Sequence, residues 1–253
     1  MEAKTSDVKE NTLSTSILPT GAKQRTSAID PAALEQRFAL SDGKLLDLSS
    51  LELVEMPPLE DLNRRFPHLR HLNIRRNALR VLPEGLARAF PGLVVLNASE
   101  NALESLSYVS ISALRNLQRL NIAHNCIREV PAGLFIELDV LEEFDARGNL
   151  IQQITFDDSN GEFTAAKVSN LQVLLLADNR LKKVALSVAE FMPKLRAVDL
   201  SGNPDLTDVP ENIRRLHGRY VLFRSSAKRR ELITRALNVR KAVALAQAKI
   251  KCK

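Results

Sequence analysis

The chain has 253 residues and a formal charge of +6, is 45% hydrophobic, and contains no Trp, two Tyr and nine Phe, so any core it builds is aliphatic. Cys126 and Cys252 stand far apart with no C-x-x-C pair, which excludes a disulfide framework or a zinc site and fits a reducing compartment. No apolar run reaches membrane-spanning length, and Glu2, Asp7 and Glu10 interrupt the N-terminus where a signal core would lie; the expected location is intracellular, the cytoplasm by default, with nucleus or cilium and cytoskeleton as alternatives.

Residues 1–29 are rich in Ser, Thr and Lys with scattered apolar residues, too few to offset chain entropy, and are expected to form a flexible arm whose hydroxyls are candidate phosphorylation sites. Asp30-Pro31 supplies an N-cap and a first-turn proline, and Leu34, Phe38 and Gly43 continue and stop a short amphipathic helix over 30–42, placed to cap the stretch beyond it. Residues 43–226 then repeat. Asn77, Asn101, Asn125, Asn149, Asn179 and Asn203 are spaced by 24 residues with one interval of 30, and Leu69, Leu93, Leu117, Leu141, Leu171 and Leu195 lie eight residues before them. Leu72, Leu96, Leu120, Phe144, Leu174 and Val198 stand five before, and Ile74, Ala98, Ile122, Ala146, Leu176 and Leu200 three before. The last two columns alternate with polar residues, as a short strand with one buried face requires. One such strand buries too little to stand alone, so copies must stack on a shared core. Each asparagine falls where the chain turns inward and backbone groups lose their ladder partners, which an amide can satisfy.

The frame L-x-x-L-x-L-x-x-N, six times in register, resembles the leucine-rich repeat family over roughly residues 44–224. The resemblance implies an α/β solenoid of seven or eight repeats, with a curved parallel sheet on the concave side, short helices, 3₁₀ turns and loops on the convex side, and a cap at each end. It also implies protein binding and a structural asparagine ladder. The first copy, Leu46 to Leu51, puts leucine where asparagine is expected, as a terminal repeat can. The spacing of four in Leu82-Pro83-Glu84-Gly85-Leu86 through Phe90, echoed in Met56-Pro57 through Leu62 and in Val130 through Leu134, predicts a helical turn on the convex return. The longer repeat carries Asp157-Asp158-Ser159-Asn160-Gly161-Glu162, which fails EF-hand spacing because Phe156 would occupy the first ligand position, and reads as a solvated convex turn. Tyr220-Val221-Leu222-Phe223 offers a closing strand.

Residues 227–253 contain no Gly or Pro, and Leu232, Ala236, Val239, Val243, Ala246 and Ile250 recur at helix spacing. Lys228, Arg229, Arg230, Arg235, Arg240 and Lys241 occupy other faces, so this predicts a basic amphipathic C-terminal helix. From Glu211 to Lys253 there are thirteen Lys and Arg against two Glu, which leaves the repeats mildly acidic. The helix has three readings: a cap on the last repeat, an amphipathic helix docking on a partner or in a coiled coil, or a basic segment lying on an acidic surface such as RNA, tubulin or anionic lipid.

No nucleophile, base and pocket gather in this pattern, no phosphate-binding glycine loop occurs, and His71 and His124 fall on the concave side but two repeats, about 10 Å, apart at strand spacing, so neither a catalytic set, a cofactor nor a metal site is expected. Cys126, which follows Asn125 where Ala78 and Ala102 follow theirs, is expected to fill core space. In the leucine-rich repeat frame, side chains six, four and two before each asparagine face the concave side. The candidate partner-binding residues are therefore His71, Arg75, Val95, Arg119, Glu143, Asp145, Arg147, Val173, Leu175 and Ala197, with Arg76, next to Arg75, added to the basic group. The N-terminal half of that face is basic, while Val173, Leu175, Ala177 and Ala197 make the other half apolar, open to a partner or covered by the chain's own tail or cap. The expected function is a non-enzymatic adaptor that binds a protein on its concave face; the alternative is a structural subunit of a ribonucleoprotein, axonemal or cytoskeletal assembly, anchored by the basic helix.

Overall fold

The computed structural model describes residues 43–131, 133–154, 170–183, 194–207 and 220–222. The expected arm 1–29, capping helix 30–42, acidic turn 157–162 and basic helix 227–253 lie outside these residues. Eight three-residue strands form one parallel sheet in sequence order: β1 (Leu45–Asp47), β2 (His71–Asn73), β3 (Val95–Asn97), β4 (Arg119–Asn121), β5 (Glu143–Asp145), β6 (Val173–Leu175), β7 (Ala197–Asp199) and β8 (Tyr220–Leu222). The register follows the repeat: Leu72 pairs with Leu96, Leu96 with Leu120, Leu120 with Phe144, Phe144 with Leu174 and Leu174 with Val198. The six extra residues of the longer repeat leave this pairing unchanged.

Each strand is one alternation long. Its central side chain points into the core, and from Leu46 through Leu72, Leu96, Leu120, Phe144 and Leu174 to Val198 that residue is at most 1% exposed. The core has a second wall on the convex return, where Phe66, Phe90, Leu114 and Leu138 are buried and their carbonyls accept the backbone N–H of Leu69, Leu93, Leu117 and Leu141. Short helices precede these turns at Leu59–Arg65, Leu86–Ala89 and Leu134–Glu137, as the spacing of four predicts, and a fourth lies at Tyr108–Ile111. Phe144, the one aromatic residue of the central strand column, meets Phe135 edge-on with ring centroids 5.1 Å apart.

The asparagine column joins each repeat to the one before it. Asn125 Oδ1 accepts the Leu103 N–H at 2.9 Å, while its Nδ2 donates to Ile122 O in its own repeat at 2.9 Å and to Ala98 O in the preceding one at 3.1 Å. Asn149 makes the same three bonds with Ile127, Ala146 and Ile122, and Asn179 with Ile151, Leu176 and Ala146. At the N-terminal end Asn77 accepts from both Leu51 and Leu53 and donates to Leu48 O, so the first repeat is tied in without an asparagine of its own. From Asn125 onward the amides are buried.

The residue before each asparagine is left-handed. Arg76, Glu100, His124 and Asp178 all have φ of 55°, and Gly148 and Gly202 have φ of 65° and 69°, a conformation that costs a side-chain-bearing residue about 1–2 kcal/mol. The glycines answer a second need as well. A Cβ at Gly148 would stand 2.5 Å from His124 Nδ1, and one at Gly202 would collide with Asp178 Oδ1. His124 thus belongs to the turn past β4 rather than to the concave columns, which corrects the sequence expectation. Cys126 also departs from expectation: it is exposed. The position after each asparagine points outward and the next one inward, so Leu79, Leu103 and Ile127 are buried instead.

Asn125→Ala leaves the buried Leu103 N–H without a partner and takes one of two amide bonds from each of the Ala98 and Ile122 carbonyls, which keep Asn101 and Asn149, and is expected to cost about 2 kcal/mol in urea unfolding. Asn125→Asp, which cannot donate, should not rescue it. Gly202→Ala should lower stability by at least about 1 kcal/mol through its φ alone, and a second change, Asp178→Ala, should recover part of any further loss.

Candidate functional site

The outward columns of β2–β7 compose the candidate face. Strand alternation that buries Leu72 and Leu120 turns their neighbours His71 and Arg119 outward, and both are exposed. Arg75 and Arg76 follow β2 with side chains 49% and 66% exposed, and Arg119 is 55% exposed, so the basic N-terminal half stands open as the sequence implied. Glu100 faces both Arg75, which donates from Nε and Nη2 to Oε1, and Arg76 at 3.7 Å; Arg119 lies 4.0 Å from Glu143. Arg70, by contrast, donates to Gly92 O in the next repeat and has a structural role.

His71 titrates below its ordinary value of 6.5, chiefly because partial burial disfavours the charged ring and secondarily because the positive Arg119 lies nearby. The imidazole is therefore neutral near pH 7 and its protonation would add to the positive charge of the face.

The second outward column is mainly structural. Asp47, Asn73, Asn97, Asn121, Asp145 and Asp199 each accept the N–H of the residue two further on, closing the turn that ends the strand. Asp145 is 4% exposed and takes two hydrogen bonds from Arg147, at 2.9 and 2.7 Å. Burial pulls the Arg147 guanidinium downward, but the hydrogen bond and charge of Asp145, with the charges of Asp199 and Glu143, outweigh it and hold Arg147 above its ordinary value. Arg147 and Asp145 are thus engaged with each other.

The apolar half is present but closed. Val173, Leu175 and Ala177 are 8%, 2% and 0% exposed, and Ala197 and Val95 are half-buried, so of the two alternatives, open or covered, this part of the face is not the open one. Alternation fixed which way these side chains point and was silent on what lies over them. The positive-φ column and the ion pairs of Glu100 were also missed: Glu100 falls outside the three outward columns, and its reach back to Arg75 crosses between repeats. The basic residues Lys228, Arg229, Arg230, Arg235, Arg240 and Lys241 lie outside the described residues. Among the described residues no three His, Cys, Asp or Glu side chains gather to hold a metal ion, and no helix is long and apolar enough to cross a membrane.

An Arg119→Gln change should raise the His71 midpoint partway toward 6.5 in an NMR titration, because burial, the larger cause, remains. Since the folded chain binds this proton less readily than the unfolded chain, His71 should also lower stability as pH falls below 6.5.

Residues 67–125 and 91–151 match the family model described as Leucine rich repeat. A probable disease resistance protein of Arabidopsis thaliana is 35% identical over 74 residues, which are 28% of this chain and 9% of that protein, so the chain spans a small part of its relative. Among solved structures, a leucine-rich repeat protein of Leptospira interrogans aligns with a TM-score of 0.60 at 25% identity, over 74% of this chain and 44% of that one. A pollen receptor kinase structure shares the fold with a TM-score of 0.53 at 24% identity, over 66% of this chain and 76% of that one. Solenoids of this kind generally serve protein–protein interaction through their extended concave surfaces. With the repeat frame, the parallel sheet and these matches in agreement, the chain is a leucine-rich repeat protein.

Proposed function

We propose that the chain is a non-enzymatic adaptor that grips an acidic segment of a partner protein on the concave face over β2–β4. The observation that supports this is the exposed group of Arg75 and Arg76, in the turn just past β2, and Arg119 on β4, beside the neutral ring of His71. Guanidinium forks recognise carboxylates with two parallel hydrogen bonds, and strands about 4.8 Å apart set such forks at the spacing of an extended peptide. The competing pairs with Glu100 and Glu143 lie at the surface, where an ion pair contributes about 0–1 kcal/mol, so a partner carboxylate can replace them at little cost. Rim charges of this kind set association rate and partner choice more than total affinity.

Arg75→Glu combined with Arg119→Glu in the full chain should weaken capture of protein partners at least about tenfold in affinity purification, the loss expected from two charge-assisted contacts. Circular dichroism should stay unchanged, since neither side chain enters the core. Undiminished recovery would remove the basic face from the binding surface.

A further inference from the structure

Three amides stand side by side in the second outward column, and two of them have an end to spare. Asn73, Asn97 and Asn121 pair in register on β2, β3 and β4, and all are half-buried. Each commits its Oδ1 to the turn that ends the strand: Asn73 accepts the Arg75 N–H, Asn97 accepts the N–H and the hydroxyl of Ser99, and Asn121 accepts the Ala123 N–H. A backbone N–H can only donate, so it fixes which end of the amide is oxygen and leaves Nδ2 for other partners. Asn73 Nδ2 donates to Asp47 Oδ1 at 3.0 Å. Among the described residues, Asn97 Nδ2 and Asn121 Nδ2 meet no acceptor. Their strands lie about 4.8 Å apart, so one carboxylate between the two amides can give an oxygen to each at about 2.9 Å. The carboxylates already present on this face are occupied. Asp145, opposite Asn121 on β5, takes two hydrogen bonds from Arg147, while Glu100 and Glu143 face Arg75, Arg76 and Arg119.

We propose that Asn97 and Asn121 form a seat for one Asp or Glu carboxylate of the acidic partner segment, each Nδ2 donating to one oxygen, while Arg75 and Arg119 receive carboxylates on either side of it. This placement rests on the reading of β2–β4 as the face for an acidic segment and adds the group that fixes where the segment sits. The two arginines flank the seat at opposite corners: Arg119 lies two residues before Asn121 on the same face of β4, and Arg75 two residues past Asn73 in the repeat before Asn97. A long guanidinium arm attracts charge from a distance and accepts it in several positions. An amide whose oxygen is held by its own turn offers its donor in one position. Ser99 and Ala123, 5% and 3% exposed, close the floor beside it. A partner that laid an apolar group over the pair would bury two donors without acceptors, a penalty that selects against it. The arginines thus supply attraction and the amides supply register.

The test is an NMR titration of the full chain that follows side-chain N–H signals, with a hexaglutamate peptide blocked at both ends as the probe and blocked hexaglutamine as the uncharged control. The Nδ2 protons of Asn97 and Asn121 should shift downfield and saturate with hexaglutamate, those of Asn73, already bonded to Asp47, should stay, and hexaglutamine should move none of them. Asn97→Asp and Asn121→Asp identify the two signals by their loss and keep the turn, since Asp47, Asp145 and Asp199 accept the same N–H at equivalent positions. Shifts at Arg75 and Arg119 Nε with both amides unmoved would overturn the seat and leave the acidic-segment reading standing, whereas silence at arginines and amides alike would overturn both. Inorganic phosphate moving the two amides where hexaglutamate does not would also overturn the carboxylate assignment, in favour of a phosphoryl group.

Discussion

A single carboxamide geometry holds the repeats in line. The Nδ2 group of each ladder asparagine bridges a carbonyl of its own repeat and the equivalent carbonyl of the repeat before, while Oδ1 takes an N–H from the preceding turn. Three-residue strands offer few backbone bonds each, and the asparagine of each turn is buried from Asn125 onward. Without the amide those turns would bury unpaired polar groups, at roughly 1–3 kcal/mol apiece. The bridge also fixes the offset between neighbours, so the sheet register and the aliphatic core depend on it.

That offset made most of the fold readable in the residues. Counting back from Asn149 places Phe144 inward and Glu143 and Asp145 outward, and the strand pairing agrees at every step. Period-two and period-24 patterns are properties of sequence, and they were legible for that reason. Exposure on the outward face was not. Leu175 and Asn121 occupy equivalent positions, yet one is buried and the other half-open, a difference that neither period records. Cys126 shows a smaller failure of the same kind: analogy to the small residues Ala78 and Ala102 suggested a filled core position, whereas the direction of the turn sends all three outward. The outward direction of Asp145 was legible, but its engagement with Arg147 was not, since side-chain geometry selects that partner.

The electrostatics of the face divide it. Over β2–β4 the guanidinium groups are exposed and Glu100 is a surface partner that exchanges readily; over β5–β7 Arg147 sits among Asp145, Asp199 and Glu143, whose hydrogen bond and charges outweigh its burial and hold its proton more tightly. The first environment suits recognition of an incoming charge. The second suits a lasting contact, because ion pairs withdrawn from water are screened less by salt.

The left-handed column carries a consequence for how such a chain can lengthen. His124 leans over Gly148 and Asp178 over Gly202, so in this half of the solenoid a residue with a reaching side chain alternates with one that has none. Duplicating the repeat that ends at Gly148 or Gly202 would place glycine above glycine and stay sterically silent, whereas duplicating that of His124 or Asp178 would require the two side chains to turn apart, in a column where Arg76, Glu100 and His124 already stand in successive repeats.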